Sequence, residues 1–282
     1  MGLTFFGVEN VFSVRQFPKH VLTADEEDTG REAFRVATGR RSKLDFWAPT
    51  TPNVPHQVEV DSTVVGGISV DYFALDRGHN LAGKLVRLDR SVNGTAWTTI
   101  KSVTIPATPG GQIGDPNGCH TDEGAFLVTF TASLFERYLR LDVPAMGAGL
   151  TPRVVGLWAG IAWRPGNIFL PLSDEDDILL AARGQTTKGW SGSTIHVRKR
   201  IGDLNFKLLT LAAFTDAAKH IRDNFGRGRL MWIVHDDANS QRAVLAQRPL
   251  GRAGFRFPEQ RSYRVSAVRW EEYEPLVELP GS

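Results

Sequence analysis

The chain has a single cysteine, Cys119, among 282 residues. No disulfide can form within it, so folding does not depend on an oxidising compartment. Long apolar runs are missing too: none approaches the roughly 18 residues of a membrane-crossing helix. The N-terminal segment MGLTFFGVENVFSV has no basic stretch ahead of an apolar core, so no secretory signal is expected. Neither charge sign dominates. The 33 basic and 31 acidic residues leave a formal net charge of +2, which argues against nucleic acid as the main partner.

Catalytic signatures are also absent. There is no GxSxG, no HExxH, no P-loop, and no GxGxxG after a predicted strand. The seven histidines show no metal-like pairing. His235-Asp236-Asp237 comes nearest, and its position ahead of Ala-Asn-Ser reads as an Asx-capped turn. Asp174-Glu175-Asp176-Asp177 lacks the oxygen spacing of a calcium loop. Cys119 sits in GDPNGCHTDEG, as an incidental thiol or as a nucleophile. Its adjacency to His120 decides nothing, because a Cys–His dyad is built from spatial neighbours. A non-enzymatic protein without metal or cofactor is expected.

What the chain has is glycine (28), proline (15) and short alternating apolar runs. Helical periodicity is rare, so a mainly β protein is predicted. Val70–Trp97 is the most legible stretch: VDYFAL and KLVRLDRS flank the polar loop RGHNLAG, and an Asn-Gly turn with Trp97 follows. Strands are predicted at Gln57–Val60, Gly67–Leu75, Lys84–Asp89, Thr98–Ile105, Ala125–Ala132, Tyr138–Val143 and Arg153–Ala159. Pro106–Gly124 reads as an irregular excursion, a loop of functional length. A seam at Ala162–Ser173 divides the chain into an N-terminal domain (1–162), a linker (163–173) and a C-terminal domain (174–282).

Several short elements of the first half occur in a familiar order. They are His79-Asn80-Leu81, the run from Ser91 through Asn93-Gly94 to Trp97, Arg137-Tyr138-Leu139-Arg140-Leu141, and Val155-Gly156-Leu157. In these the chain, over about residues 9–160, resembles a discoidin or coagulation-factor C-type domain, a galactose-binding-like jelly roll. The paired cysteines of secreted members are absent, and Asp45-Phe46-Trp47 only approximates the upstream Asp-x-Trp element. The resemblance implies a jelly-roll β-sandwich and a cell-surface glycan as candidate ligand. Trp47 and Trp97 read as half-buried packing residues or as sugar-stacking platforms. His79 reads as a corner residue bonded to backbone, or as a ligand contact.

In the second half, hairpin strands are predicted at Ser193–Arg200 and Leu204–Leu211, joined tightly through Ile201-Gly202-Asp203. A helix is predicted over Phe214–Phe225, where Phe214, Ala217, Ala218, Ile221 and Phe225 share a face. Strands follow at Arg229–His235, Arg242–Gln247 and Ser262–Tyr273. This ββαβββ order resembles the tail-tube fold of siphophage distal-tail and minor tail proteins, a β-sandwich or split barrel with one helix. That resemblance implies a homo-oligomer, a hexameric ring in the virion tail tip. Its partners would be the tube, hub and tape-measure proteins, with nucleic acid met only in the lumen and no membrane contact. Arg198, Arg200, Arg264 and Arg269, with Asp176 and Asp177, would lie on complementary faces of ring neighbours, or on a solvated mixed-charge surface. The leading expectation is a structural tail-tip protein, and the alternative is a lectin-like carbohydrate-binding module.

Overall fold

A computed structural model of the chain describes residues 5–7, 9–13, 16–37, 46–63, 67–122, 124–135, 137–147, 149–164, 176–185, 191–207, 215, 229–234, 243–247 and 264–272. Two compact units are present. One comprises Met1–Arg164, Ile233–Ala243 and Pro275–Ser282, and the other Pro165–Trp232 and Val244–Glu274.

The first unit is a jelly-roll β-sandwich. Its strands are β1 (Phe5–Gly7), β2 (Val21–Ala24), β3 (His56–Asp61), β4 (Ile68–Leu75), β5 (Leu85–Ser91), β6 (Thr98–Thr104), β7 (Cys119–His120), β8 (Phe126–Phe135), β9 (Tyr138–Val143), β10 (Leu157–Gly160) and β11 (Ala162–Trp163). One sheet runs β2-β3-β9-β5-β6 and the other β10-β4-β8-β7. Each pairing within them is antiparallel. Among the described residues of the β2–β3 connection there is one 3-10 turn, Ala33–Ala37.

The alternation that predicted these strands is what builds the core. Val58 and Val60 of β3, and Leu139, Leu141 and Val143 of β9, point inward and are fully buried. The intervening Gln57, Glu59, Asp61, Arg140 and Asp142 face outward. In β4 the run Val70–Leu75 is buried throughout, as befits a strand with neighbours on both edges. Phe73 and Phe126 meet across the β4–β8 pair with ring centroids 5.9 Å apart. Each such apolar side chain contributes roughly 1.5–3 kcal/mol on burial.

Two local expectations change. The strand predicted from Arg153 begins at Leu157, because Val154 pairs with Trp47 in an isolated bridge and the backbone turns at Gly156 to receive Asp76 N–H. The Pro106–Gly124 excursion is less irregular than predicted. It holds β7 and a Gly110–His120 bridge, and it buries Ile113 and Gly118–Thr121 against β8. By contrast, the Asn-Gly turn is as read. Ser91 Oγ accepts from Asn93 and Gly94 N–H, Asn93 Oδ1 accepts from Thr95 and Ala96 N–H, and Gly94 has φ +75°.

In the second unit, β12 (Asp176–Gln185) and β13 (Ser191–Lys207) form a long antiparallel pair. The chain continues with β14 (Met231–Val234), of which Ile233 and Val234 belong to the first unit, then β15 (Val244–Gln247) and β16 (Arg264–Glu272). β13 also pairs with β16, and β16 with β15. The tight hairpin predicted at Ile201-Gly202-Asp203 is not there: β13 runs straight through it. The reason lies in the partners. Ile201 pairs with both Asp176 and Glu271, and Gly202 with Trp270, so ladder bonds hold the backbone extended. The predicted helix lies outside the described residues apart from Thr215, and the predicted linker is described only at Trp163 and Arg164.

Candidate functional site

The antiparallel order sorts the jelly-roll loops by end. His56 of β3 pairs with Val143 of β9, and Leu75 of β4 with Leu157 of β10. The connections 25–55, 76–84, 105–118 and 144–156 therefore gather at one end of the sandwich. The β5–β6 turn lies at the other. His79 belongs to the loop end, and Trp97 follows the turn, so β5 separates them by about 20 Å at ~3.3 Å per residue.

His79 is a corner. Its Nδ1 accepts the Leu81 N–H at 3.2 Å, which puts the ring proton on Nε2. That Nε2 is buried without a partner, and the ring lies 6.0 Å from that of His120. Burial, with His120 adding, pushes its pKa down to about 3. Residues 80 and 153 are tied to it in sequence and space: Asn80 Oδ1 accepts Arg153 N–H at 2.8 Å, and Asn80 Nδ2 donates to Thr151 O at 2.9 Å.

Trp47 cannot stack on a sugar. It is fully buried and donates its indole N–H to Glu26 O at 3.0 Å. The bridge to Val154 draws it beneath the loops. It is a packing residue, and Trp47→Ala should cost about 3–5 kcal/mol of stability, read as a lowered urea midpoint. An unchanged midpoint would contradict that placement.

Trp97 is half-buried, with the Arg140 guanidinium 4.1 Å from its ring centroid. Arg140 is itself anchored by Asp89 and Gln57. One face of the indole is thus covered by a fixed cation. Trp47, Trp97 and His79, each read as a candidate glycan contact, are not brought together.

The predicted interface residues lie on neighbouring strands of one chain. Asp177 stands opposite Arg200 and Leu179 opposite Arg198, while Asp203 stands opposite Arg269 and Lys207 opposite Arg264. Asp176 stands opposite Ile201. Cys119 is buried, and its thiol is pushed up to about 12 by burial, with Asp122 and Asp115 adding. A thiolate is disfavoured there.

The loop end holds a cluster the sequence reading did not find. The Arg31 and Arg153 guanidinium carbons lie over the Phe46 ring, 3.7 and 4.6 Å from its centroid. Backbone bonds fix all three: Arg31 O accepts Ala48 N–H, the Trp47–Val154 bridge adjoins Phe46 and Arg153, and Asn80 clasps Arg153. Arg153 Nε is buried and has no hydrogen-bond partner. Burial and the nearby Arg31 hold its pKa below the ordinary range. Among the described residues no carboxylate pairs with it. Val54 and Leu150 expose apolar surface on the adjoining connections, which Asn53 Oδ1 links by accepting Gly149 N–H. Asp45 of the Asp-x-Trp element lies outside the described residues. Among the described residues no group of three metal-ligating side chains occurs.

No protein-family model matches the sequence, and no curated protein matches it. Solved structures resemble the chain over about half of its length. Chitosan-binding module 1 of a chitosanase/glucanase from Paenibacillus sp. IK-5 is 20% identical over 54% of this chain and 98% of its own, with TM-score 0.38. Module 2 of that enzyme, in complex with chitotriose, is 14% identical over 54% and 100%, with TM-score 0.39. The Clostridium perfringens module CpGH89CBM32-5, in complex with GalNAc-β-1,3-galactose, is 14% identical over 50% and 95%, with TM-score 0.37.

Proposed function

We propose that this chain is a glycan-binding protein, without catalysis of its own, that takes carbohydrate at the loop end of its jelly roll. One observation carries the reading. Arg153 brings a partly desolvated guanidinium, with an unsatisfied buried Nε–H, to a cluster with Phe46 and Arg31. A buried donor left without an acceptor costs roughly 1–3 kcal/mol. A ligand rich in oxygen acceptors removes that cost on binding. The aromatic ring orients the cations, and nearby apolar residues exclude water, which is how small-ligand sites combine few polar groups with apolar walls.

A glycan array probed with the full chain tests the reading. Binding is expected for wild type and for Trp97→Ala, whose indole lies at the opposite end, and a loss of tenfold or more for Arg153→Met. Loss in Trp97→Ala with retention in Arg153→Met would move the site to the sheet face. Mass photometry of the same sample separates this from the ring-forming tail-tip reading. Hexamers that bind no glycan would favour the ring.

A further inference from the structure

We infer that the loop end is gated by pH, with His56 as the latch. Its ring closes the base of the 25–55 connection only while both ring nitrogens carry protons. The connection is therefore held in mild acid and released as the pH rises through neutrality. The latch belongs to the fold whatever ligand the loops take, and its effect on glycan affinity rests on the glycan-binding reading.

His56 opens β3 on the same buried face as Val58 and Val60, opposite Val143 of β9, and is 2% exposed. Both ring nitrogens meet groups that accept. Nδ1 lies 3.2 Å from Asp25 Oδ2, and Nε2 lies 2.8 Å from Thr51 O. A carbonyl has no proton to give, and an ionised carboxylate has none either. Asp25 also accepts Gln57 N–H on its other oxygen at 2.9 Å. A neutral imidazole has one N–H, so it satisfies one of its two contacts and turns a lone pair on the other. The doubly protonated ring satisfies both. Glu26 Oε2, 3.8 Å from Nδ1, is a second carboxylate facing the ring. Trp47 meets the ring edge-on, with centroids 6.4 Å apart, and Asp142 of β9 turns outward to Arg87.

These partners come from both ends of the connection. Asp25 and Glu26 begin it, and Thr51 lies near its close. Glu26 ties the same ends together: its Oε1 accepts Thr51 N–H and Oγ–H, and its backbone O accepts the Trp47 indole N–H. Above them, Asp28 N–H donates to Ala48 O and Ala48 N–H donates to Arg31 O. His56 is the titratable member at the foot of this ladder, whose upper rungs hold the stretch that carries Phe46. Imidazoles as a class change charge between about pH 5 and 8. Below that change the latch is a charge-assisted bond, stronger than a neutral one. Above it, the Nδ1 lone pair faces the carboxylates of Asp25 and Glu26, and the contact becomes repulsive.

Hydrogen exchange of the ligand-free full chain at pH 5.5 and pH 8, corrected for the intrinsic exchange rate, tests the latch over peptides spanning 25–56. Wild type is expected to lose about tenfold in protection at pH 8. Asp25→Asn keeps the shape, accepts Gln57 N–H through Oδ1 and donates through Nδ2 to a neutral Nδ1, so it stays protected at both pH values. His56→Gln keeps a donor for Thr51 O but cannot take up a proton, and it is less protected at both. Nitrogen-15 spectra of the His56 ring, assigned by its loss in His56→Gln, should show two protonated nitrogens at pH 5.5 and one at pH 8. Equal protection of wild type at both pH values overturns the latch, as does a ring with one proton at pH 5.5. A pH-dependent loss that persists in both variants belongs to another group and also overturns it. A glycan array run at both pH values reads the gate: wild-type signals fall about threefold or more at pH 8, and Asp25→Asn signals do not. Equal wild-type signals overturn the gating. An array without binding at either pH overturns the glycan reading, and the exchange data then decide the latch alone.

Discussion

Gly118→Ala is expected to destabilise the jelly roll by about 3–5 kcal/mol, from left-handed strain together with overpacking. Gly118 has φ +67°, and a Cβ there would lie 2.6 Å from Leu127 O, 2.7 Å from Val128 Cβ and 2.9 Å from Phe126 Cε2. Two of these neighbours cannot move aside. Leu127 O is backbone, and the Val128 Cβ is fixed to it. β8 is flanked by β4 and β7 in its sheet, so its main chain has nowhere to withdraw. Urea unfolding followed by tryptophan fluorescence reads the effect. A midpoint close to wild type would mean that the 105–118 connection is not seated on β8 as described.

Acid is expected to unfold the protein through His79. The imidazole is pushed from its ordinary value of 6.5 down to about 3 in the folded state. Above pH 6.5 it is neutral in both states and stability is unaffected. Below that, the unfolded chain takes a proton that the folded chain refuses. Stability therefore falls with a slope of about 1.4 kcal/mol per pH unit, and the loss levels off once the folded ring protonates too. The physical cause is burial of the ring, with His120 adding: Nδ1 is engaged by Leu81 N–H and Nε2 is enclosed beside His120. His79→Asn keeps a side-chain acceptor for the turn and removes the titration. Urea midpoints at pH 7, 5 and 4 should converge between variant and wild type as the acid limb of the variant flattens. A shallow slope remains from His20, which burial also holds below its ordinary value. Parallel limbs would show that another group controls acid unfolding.

The legible parts of the sequence were those whose cause is local. β3, β5 and β9 alternate because each has one face on the core, and alternation is visible in six or seven consecutive residues. The Asn93-Gly94 turn is likewise decided by its own side chains. Ile201-Gly202-Asp203 misled because a turn-like triplet yields to sheet partners on both sides. Trp47 misled because its burial depends on Val154, at the far end of the unit's sequence. The same distance hid the candidate site. Arg31, Phe46 and Arg153 carry no motif, and only the Trp47–Val154 bridge and the Asn80 clasp bring them to one ring.

The outward face of β9 has a consequence for how the sheet finds its alignment. Its residues Tyr138, Arg140 and Asp142 stand opposite Ser91, Asp89 and Arg87 of β5, and opposite Asp61, Glu59 and Gln57 of β3. A slip of one residue would turn Leu139 and Leu141 out to water. A slip of two keeps the leucines inside, yet it sets Arg140 against Arg87 in one direction and Asp142 against Asp89 in the other. Like charges opposite one another repel. The strand thus carries a two-level error check, with apolar residues rejecting odd misalignments and charges rejecting even ones. The central strand of this sheet admits one partner register on its β5 side, and the loops it positions inherit that accuracy.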